Sequence, residues 1–391
     1  MPYYRSVGDV PRKRHTQHRH PDGGLYAEEL VGIEGFHHDS ALLYHRHLPT
    51  AIVNAVAETE VDAALTPNLP LLPAHYRTHD LEMPGRPDAV TSRRVLLANS
   101  DVRLAYVAAT TASPLYRNAV GDEVLYVESG AGLVETTYGV LSVSDGDYVV
   151  LPTSTTYRVL PTGADPLRLF VIEATGHVGP PKRYLSPRGQ FLEHAPYCER
   201  DIRGPEDLAQ VDETDVDVIV RTRQGLTRYT YAHHPFDVVG WDGSNYPWVV
   251  SIRDFEPITG RLHQPPPVHQ MFEGSNVVVC SFVPRLFDYH PLSIPAPYNH
   301  ANVDSDEVLF YCGGDFMSRK GAGIETGSIS LHPAGFTHGP QPGSVEASIG
   351  ATATDETAVM VDTFRPLEIG AAARAVEDLA YPWTWSGRSP H

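Results

Sequence analysis

Strand-type patterning dominates this chain. Short apolar runs and apolar–polar alternations recur, each closed by glycine, proline or a polar turn, and sustained 3.6-residue periodicity is scarce. Strands are predicted at 247–253, 275–284, 306–312, 326–332 and 357–363. The 34 Pro and 32 Gly are dispersed along the chain, which favours short strands joined by loops over long helices. The best helix candidate is 369–380, alanine-rich and free of proline. The fold class this predicts is all-β with few helices.

The strand pattern repeats. Gly121-Asp-Glu123-Val-Leu-Tyr-Val matches Ser305-Asp-Glu307-Val-Leu-Phe-Tyr, and Gly130 follows Glu123 at the distance at which Gly314 follows Glu307. Gly146 and Pro152 then repeat the spacing of Gly327 and Pro333. Copies roughly 180 residues apart suit a duplicated barrel rather than a solenoid. Residues 178–215, dense in Pro, Gly and charge, read as the connection, so two domains are expected, 1–205 and 206–391.

The second copy carries the chemistry. His300-Ala-Asn302 is followed by Glu307, and Gly327 and Pro333 by His338. Two imidazoles and one carboxylate brought together from neighbouring strands leave coordination positions open, the set used by non-haem Fe(II) oxygenases. Residue types and spacings over 298–340 closely resemble the cupin family. Many cupins have His where Asn302 stands, so three protein ligands are expected here. Asp306, adjacent to Glu307, points to the opposite face of a strand and is not expected to be a ligand. In the first copy Tyr116 and Tyr157 stand where the second has His300 and His338. One glutamate beside two tyrosines is a poor divalent-metal site, so the first barrel is read as structural.

Composition narrows the partners. The net charge of −18, from 30 basic and 48 acidic residues, repels nucleic-acid phosphate and anionic membranes. No apolar run is long enough to span a bilayer, and the first residues lack the apolar core of a leader. Three cysteines are too few and too scattered for a disulfide framework, which suits a reducing cytoplasm. Residues 1–50 are histidine-rich but lack recurring carboxylates or cysteines at ligand spacing, and are read as a polar arm over a sheet.

Further residues suit an aromatic substrate. His263 and His269 flank Gln-Pro-Pro-Pro-Val ahead of a predicted strand, and either imidazole could accept a phenolic proton. Arg319 and Lys320 lie between the two metal motifs and suit a carboxylated substrate. His332 could hydrogen-bond substrate or orient a metal ligand. Tyr298, two residues before His300, could present its phenol to the substrate ring.

Three stretches resemble the homogentisate 1,2-dioxygenase family: Leu25–Phe36 with Leu43–Pro49, Phe236-Asp-Val-Val-Gly-Trp241, and 298–340. The resemblance implies a bicupin, two double-stranded β-helix (jelly-roll) barrels, with Fe(II) held by His300, Glu307 and His338. It implies that both atoms of O2 enter homogentisate, opening the ring to maleylacetoacetate in tyrosine and phenylalanine catabolism. It places His263 as acid/base, Lys320 on the substrate carboxylate and His332 and Tyr298 at the substrate, and implies a homo-oligomer, trimer or hexamer. Asn299, where the family often has an aromatic, and a shorter, more basic 314–325 depart from it at the substrate pocket. Alternatives are a dioxygenase of gentisate or another hydroquinone, a zinc cupin isomerase, and a non-enzymatic storage or sensor bicupin.

Overall fold

The structure is a computed structural model that describes residues 3–58, 64–319 and 321–387. As expected, it is all-β: the described residues contain two α-helices, Ser344–Ser348 and Ala371–Ala375, each of five residues. The chain divides into two compact units. Each is built on mainly antiparallel sheets of the double-stranded β-helix kind.

Unit 1 comprises 1–62, 83–93 and 107–251. One of its sheets runs in the order 139–144, 131–136, 156–161, 115–118, 214–222, 225–233 and 52–58. A second set places Glu123–Ser129 between Asp147–Leu151 and Leu167–Ala174, strands whose inward Val, Leu, Ile and Phe are essentially dry.

Unit 2 comprises 63–82, 94–106 and 252–391. Its principal sheet runs Gln270–Gly274, Val277–Phe282, Thr357–Thr363, Asp306–Gly313, Ser328–His332 and Ala74–Arg77. Cys280, Leu309, Tyr311, Phe316, Ala358 and Met360 form an apolar cluster on it. The strand predicted at 357–363 is found at those bounds, and those predicted at 275–284, 306–312 and 326–332 are found within two residues of them.

Two glycines explain why the repeat survives at the turns. Gly130 and Gly314 both adopt positive φ, 91° and 86°. A Cβ at Gly130 would stand 2.8 Å from the Pro166 carbonyl oxygen, and one at Gly314 would stand 2.2 Å from that of Asp355. Only glycine fits this turn without strain.

The units do not divide at 205. Residues 206–251 belong to unit 1 because Thr214–Thr222 pairs in parallel with Leu115–Asn118 and carries Gly225–His233 with it. Conversely, Ala74–Arg77, from the N-terminal third, is an edge strand of unit 2 beside Ser328–His332. Composition marks a linker, but strand pairing decides membership. The helix expected over 369–380 shrinks to Ala371–Ala375. Beyond it the backbone pairs with 75–77 instead: Arg77 N–H donates to Val376 O at 3.1 Å and Asp378 N–H to His75 O at 2.8 Å. Tertiary pairing overrides alanine's helix propensity.

Candidate metal centre

His300, Glu307 and His338 converge in unit 2, with one ligand atom from each within 4.8 Å of the others. Among the described residues this is the only such group of three. Glu307 sits near the start of Asp306–Gly313, directly opposite His332 on one side and Asp362 on the other. His300 and His338 face each other in an isolated bridge: each backbone N–H donates to the other's carbonyl at 2.8 Å. The bridge holds their rings 4.4 Å apart.

The two histidines are tuned alike. His300 Nδ1 contacts Tyr298 O at 3.1 Å and His338 Nδ1 contacts Phe336 O at 3.0 Å. A carbonyl can only accept, so Nδ1 carries a proton in each ring, and Nε2, which faces Glu307, is the nitrogen a metal would take. Both Nε2 atoms face Glu307, at 3.7 Å from Oε2 for His300 and 3.1 Å from Oε1 for His338. Metal–ligand bonds of about 2.0–2.2 Å put neighbouring ligand atoms about 3 Å apart, so this donor set fits a divalent cation with little movement. Burial alone would push the Glu307 carboxyl up, but hydrogen bonds from His300, His332 and His338 hold it well below the usual range. The group is therefore an anion at neutral pH, as a ligand must be.

His332 is no ligand. It is fully buried, its Nδ1 lies 2.9 Å from Glu307 Oε1, and its Nε2 lies 3.0 Å from the Tyr381 hydroxyl. Burial, with the Arg319 charge nearby, lowers its pKa to about 3, so the ring is neutral. With both nitrogens committed inside the protein, the geometry supports orientation of Glu307 rather than contact with substrate. Asp306 turns away, its oxygens accepting from Ala334 N at 2.8 Å and Leu367 N at 2.7 Å. Asn302, the residue at the common fourth-ligand position, donates to Asp362 Oδ1 at 3.2 Å.

His300 and Glu307 of the triad border a cavity of about 240 Å³, large enough for one substituted aromatic ring. His300, Glu307, His263, Tyr298 and Arg319 line it, against an apolar wall that includes Phe282 and Met360. His263 is half-exposed, 3.5 Å from Asp288, with its ring 5.1 Å from that of Tyr298. His269 also borders the cavity, but burial, together with Arg285 and His263, lowers its pKa to about 3. Lys320 lies outside the described residues. Its neighbour Arg319 is buried in the wall, with Nε 3.3 Å from the Tyr311 hydroxyl, Nη1 donating to Gly339 O and the guanidinium over Trp385. Among the described residues none of these partners is a carboxylate.

Asp362 and Tyr381 were not singled out by the sequence. Burial, and then the Glu307 charge, raise Asp362 to about 8. Its only sequence signal is a polar residue ending the apolar run Ala358–Val361. Tyr381 lies in a short turn near the end of the chain, with no motif around it.

In unit 1 the corresponding place is filled from within. Arg93 Nη1 lies 2.6 Å from Glu123 and 2.9 Å from Glu173, its Nη2 2.9 Å from the Tyr157 hydroxyl, and Tyr157 donates to Glu123 at 2.6 Å. Arg221 also pairs with Glu173. The histidine-rich first fifty residues form no cluster of three ligands among the described residues. His45 is buried between Asp237 and Glu29, at 2.6 and 3.0 Å.

Residues 5–252 match the family described as "Homogentisate 1,2-dioxygenase N-terminal". The chain is 38% identical over 98% of its length, and 99% of the relative's, to a Saccharolobus solfataricus protein named "Putative dioxygenase SSO1533". It is 25% identical over 84% of its length, and 78% of the relative's, to the homogentisate 1,2-dioxygenase of Emericella nidulans. A cupin 2 conserved barrel domain protein from Leptotrichia buccalis aligns with 81% of this chain and 99% of its own at 10% identity, with a TM-score of 0.28.

Proposed function

The chain belongs to the homogentisate 1,2-dioxygenase family, and from that premise we propose an Fe(II)-dependent ring-cleaving dioxygenase of a hydroquinone that bears a carboxylate, homogentisate before gentisate. The coarser statement, a cupin dioxygenase, follows from the family itself. The observation that carries the finer one is a two-His-one-carboxylate triad of which His300 and Glu307 border a one-ring cavity whose wall holds a buried guanidinium.

His300, Glu307 and His338 would hold the metal, whose bound form supplies Lewis acidity and the one-electron chemistry that activates O2. The apolar wall strips water from the ring and holds it beside the triad. His263, at the cavity's solvent-facing side, takes the phenolic proton. A half-exposed imidazole beside Asp288 is the better base, since His269 is held neutral with too low an affinity for protons. Arg319 provides the seat for the substrate carboxylate. A buried charge is costly unless paired, and this guanidinium's hydrogen-bond partners among the described residues are neutral, with Glu307 and Glu356 acting on it only through space. Lys320 is the adjacent cation and shares that assignment until the two are separated by substitution. Tyr298, 57% exposed beside His263 and His300, completes the mouth.

The chain is expected to work as a homo-oligomer in the cytoplasm. No helix of the described residues is long and apolar enough to cross a membrane.

The test is O2 uptake by anaerobically purified, Fe(II)-loaded protein given homogentisate, gentisate and unsubstituted hydroquinone in turn. Stoichiometric uptake with homogentisate and ultraviolet detection of a ring-opened product is the expected result. Uptake with gentisate alone moves the substrate assignment. No uptake across the panel, with tightly bound zinc, refutes the dioxygenase reading.

A further inference from the structure

Glu307 is one end of a line of buried polar groups whose inner members substrate binding and proton transfer do not use. His332 Nδ1 meets Glu307 Oε1 at 2.9 Å, and His332 Nε2 meets the Tyr381 hydroxyl at 3.0 Å. Ser330 is a side-chain hydrogen-bonding neighbour of that same hydroxyl and lies 3.1 Å from the Tyr311 hydroxyl. Tyr311 meets Arg319 Nε at 3.3 Å. Glu307, His332, Tyr381, Ser330 and Tyr311 are each no more than 5% exposed, and Arg319 is 6% exposed.

Strand register builds this line. Glu307 and Tyr311 lie on one face of Asp306–Gly313, and Ser330 and His332 on one face of Ser328–His332. Glu307 is directly opposite His332, and Leu309 opposite Ser330. Tyr381 enters from the turn Tyr381–Trp383 and is wedged against Trp385 and His75, at ring separations of 5.2 and 5.5 Å.

The two ends set the direction of every proton between them. Arg319 can only donate and an ionised Glu307 can only accept. Arg319 therefore donates to Tyr311, Tyr311 to Ser330, Ser330 to Tyr381, Tyr381 to His332 Nε2, and His332 Nδ1–H to Glu307. In this order each hydroxyl is used once as donor and once as acceptor, so every group in the line is satisfied. Burial raises the pKa of both phenols, which keeps the protons this order requires.

We propose that Tyr381 is a positioning residue of the metal centre: through His332 it fixes the orientation of the Glu307 carboxylate, and Ser330 and Tyr311 tie that orientation to the Arg319 anion seat. The proposal rests on the metal reading of His300, Glu307 and His338. It makes the last described turn of the chain part of the active site. It also makes anion binding at Arg319 and metal binding at Glu307 mutually supportive, since both draw on one hydrogen-bonded line.

The test titrates chelator-stripped protein anaerobically with Fe(II), and with Co(II) for its visible spectrum. Tyr381→Phe keeps the ring and removes the hydroxyl. It is expected to weaken metal binding about tenfold or more and to shift the Co(II) bands, the range seen when a ligand's supporting partner is removed. Ser330→Ala is expected to act in the same direction to a smaller extent, and it carries the test if the tyrosine variant does not fold. In the wild type, a carboxylate inhibitor lacking the phenols should tighten Co(II) binding, and Tyr311→Phe should abolish that tightening. Wild-type binding with unchanged affinity and superposable Co(II) spectra in both Tyr381→Phe and Ser330→Ala overturns this proposal alone. A wild type that binds neither metal overturns the metal reading and this proposal with it.

Discussion

Two glutamates occupy equivalent places in the two units and are treated in opposite ways. Glu123 faces Leu151 and Glu173 across its neighbouring strands, while Glu307 faces His332 and Asp362. Tyr116 pairs in register with Tyr157, with rings 5.7 Å apart, as His300 pairs with His338. The backbone pairings are equivalent, an isolated bridge standing in unit 2 where unit 1 has a ladder, so the difference lies in where the positive charge comes from. Unit 1 supplies it covalently: Arg93 bridges both carboxylates and Arg221 reinforces Glu173. In unit 2 three imidazoles surround Glu307, and its neighbour Asp362 is pushed towards the neutral acid rather than paired. A site whose anion is met by an arginine is closed to metal. One whose anion is met by imidazole nitrogens offers a donor set to it.

The sharpest way to break this comparison is to make the same change in both units. Glu307→Gln is expected to reduce metal content and O2 uptake to background, whereas Glu123→Gln leaves one metal per chain and lowers stability instead. Metal analysis of the two purified variants checks this, and equal metal loss in both would refute it. Arg93→Met comes next. It leaves Glu123 buried without its cation, and breaking such a pair costs about 3–5 kcal/mol, read as a lower urea midpoint with unchanged metal stoichiometry.

Arg319→Met tests whether unit 2's own buried guanidinium serves substrate rather than structure. A charge-assisted hydrogen bond contributes about 1.5–3 kcal/mol, so KM for homogentisate should rise roughly ten- to hundredfold while unsubstituted hydroquinone is little affected. Arg319→Lys should fall between. Equal losses on both substrates would remove Arg319 from carboxylate binding.

A smaller, pH-dependent effect sharpens the contrast from unit 1. Burial opposes the charge on His45, but Asp237 and Glu29 overcome it and raise its pKa to about 9. The folded chain thus holds a proton that the unfolded chain releases near 6.5. The stabilisation is whole below about pH 6.5 and is lost as pH rises through 9, roughly 3 kcal/mol over the window. Burial would also raise Glu29, but the hydrogen bond from His45 outweighs it and lowers its pKa, so that carboxylate contributes above the ordinary range and loses its contribution in acid. Urea unfolding from pH 6 to 10 should show the alkaline decline in the wild type and a flatter profile in His45→Gln. Coincident profiles would remove His45 from unit 1's set of internal cations.

The strand content, the duplication, the replacement of two histidines by Tyr116 and Tyr157 in the first copy and the convergence of His300, Glu307 and His338 were all legible in the amino-acid order. These depend on local quantities: strand periodicity, a turn that only glycine fits at Gly130 and Gly314, and ligand spacing along adjoining strands. What tertiary structure alone decided involves residues distant in sequence. Ala74–Arg77 joins unit 2 and 206–251 joins unit 1 because β pairing is set by register, not by where a proline-rich stretch falls. Arg93 reaches Glu123 across 30 residues, and Tyr381 reaches His332 across 49. Neither carries a spacing rule, because a side chain's hydrogen-bond partner is chosen by the packed core and the need to satisfy buried polar atoms. Asp362 and the second imidazole contact of His332 belong to the same class: their residue types were visible, but their environments, which determine their charge, exist only once the sheet has formed.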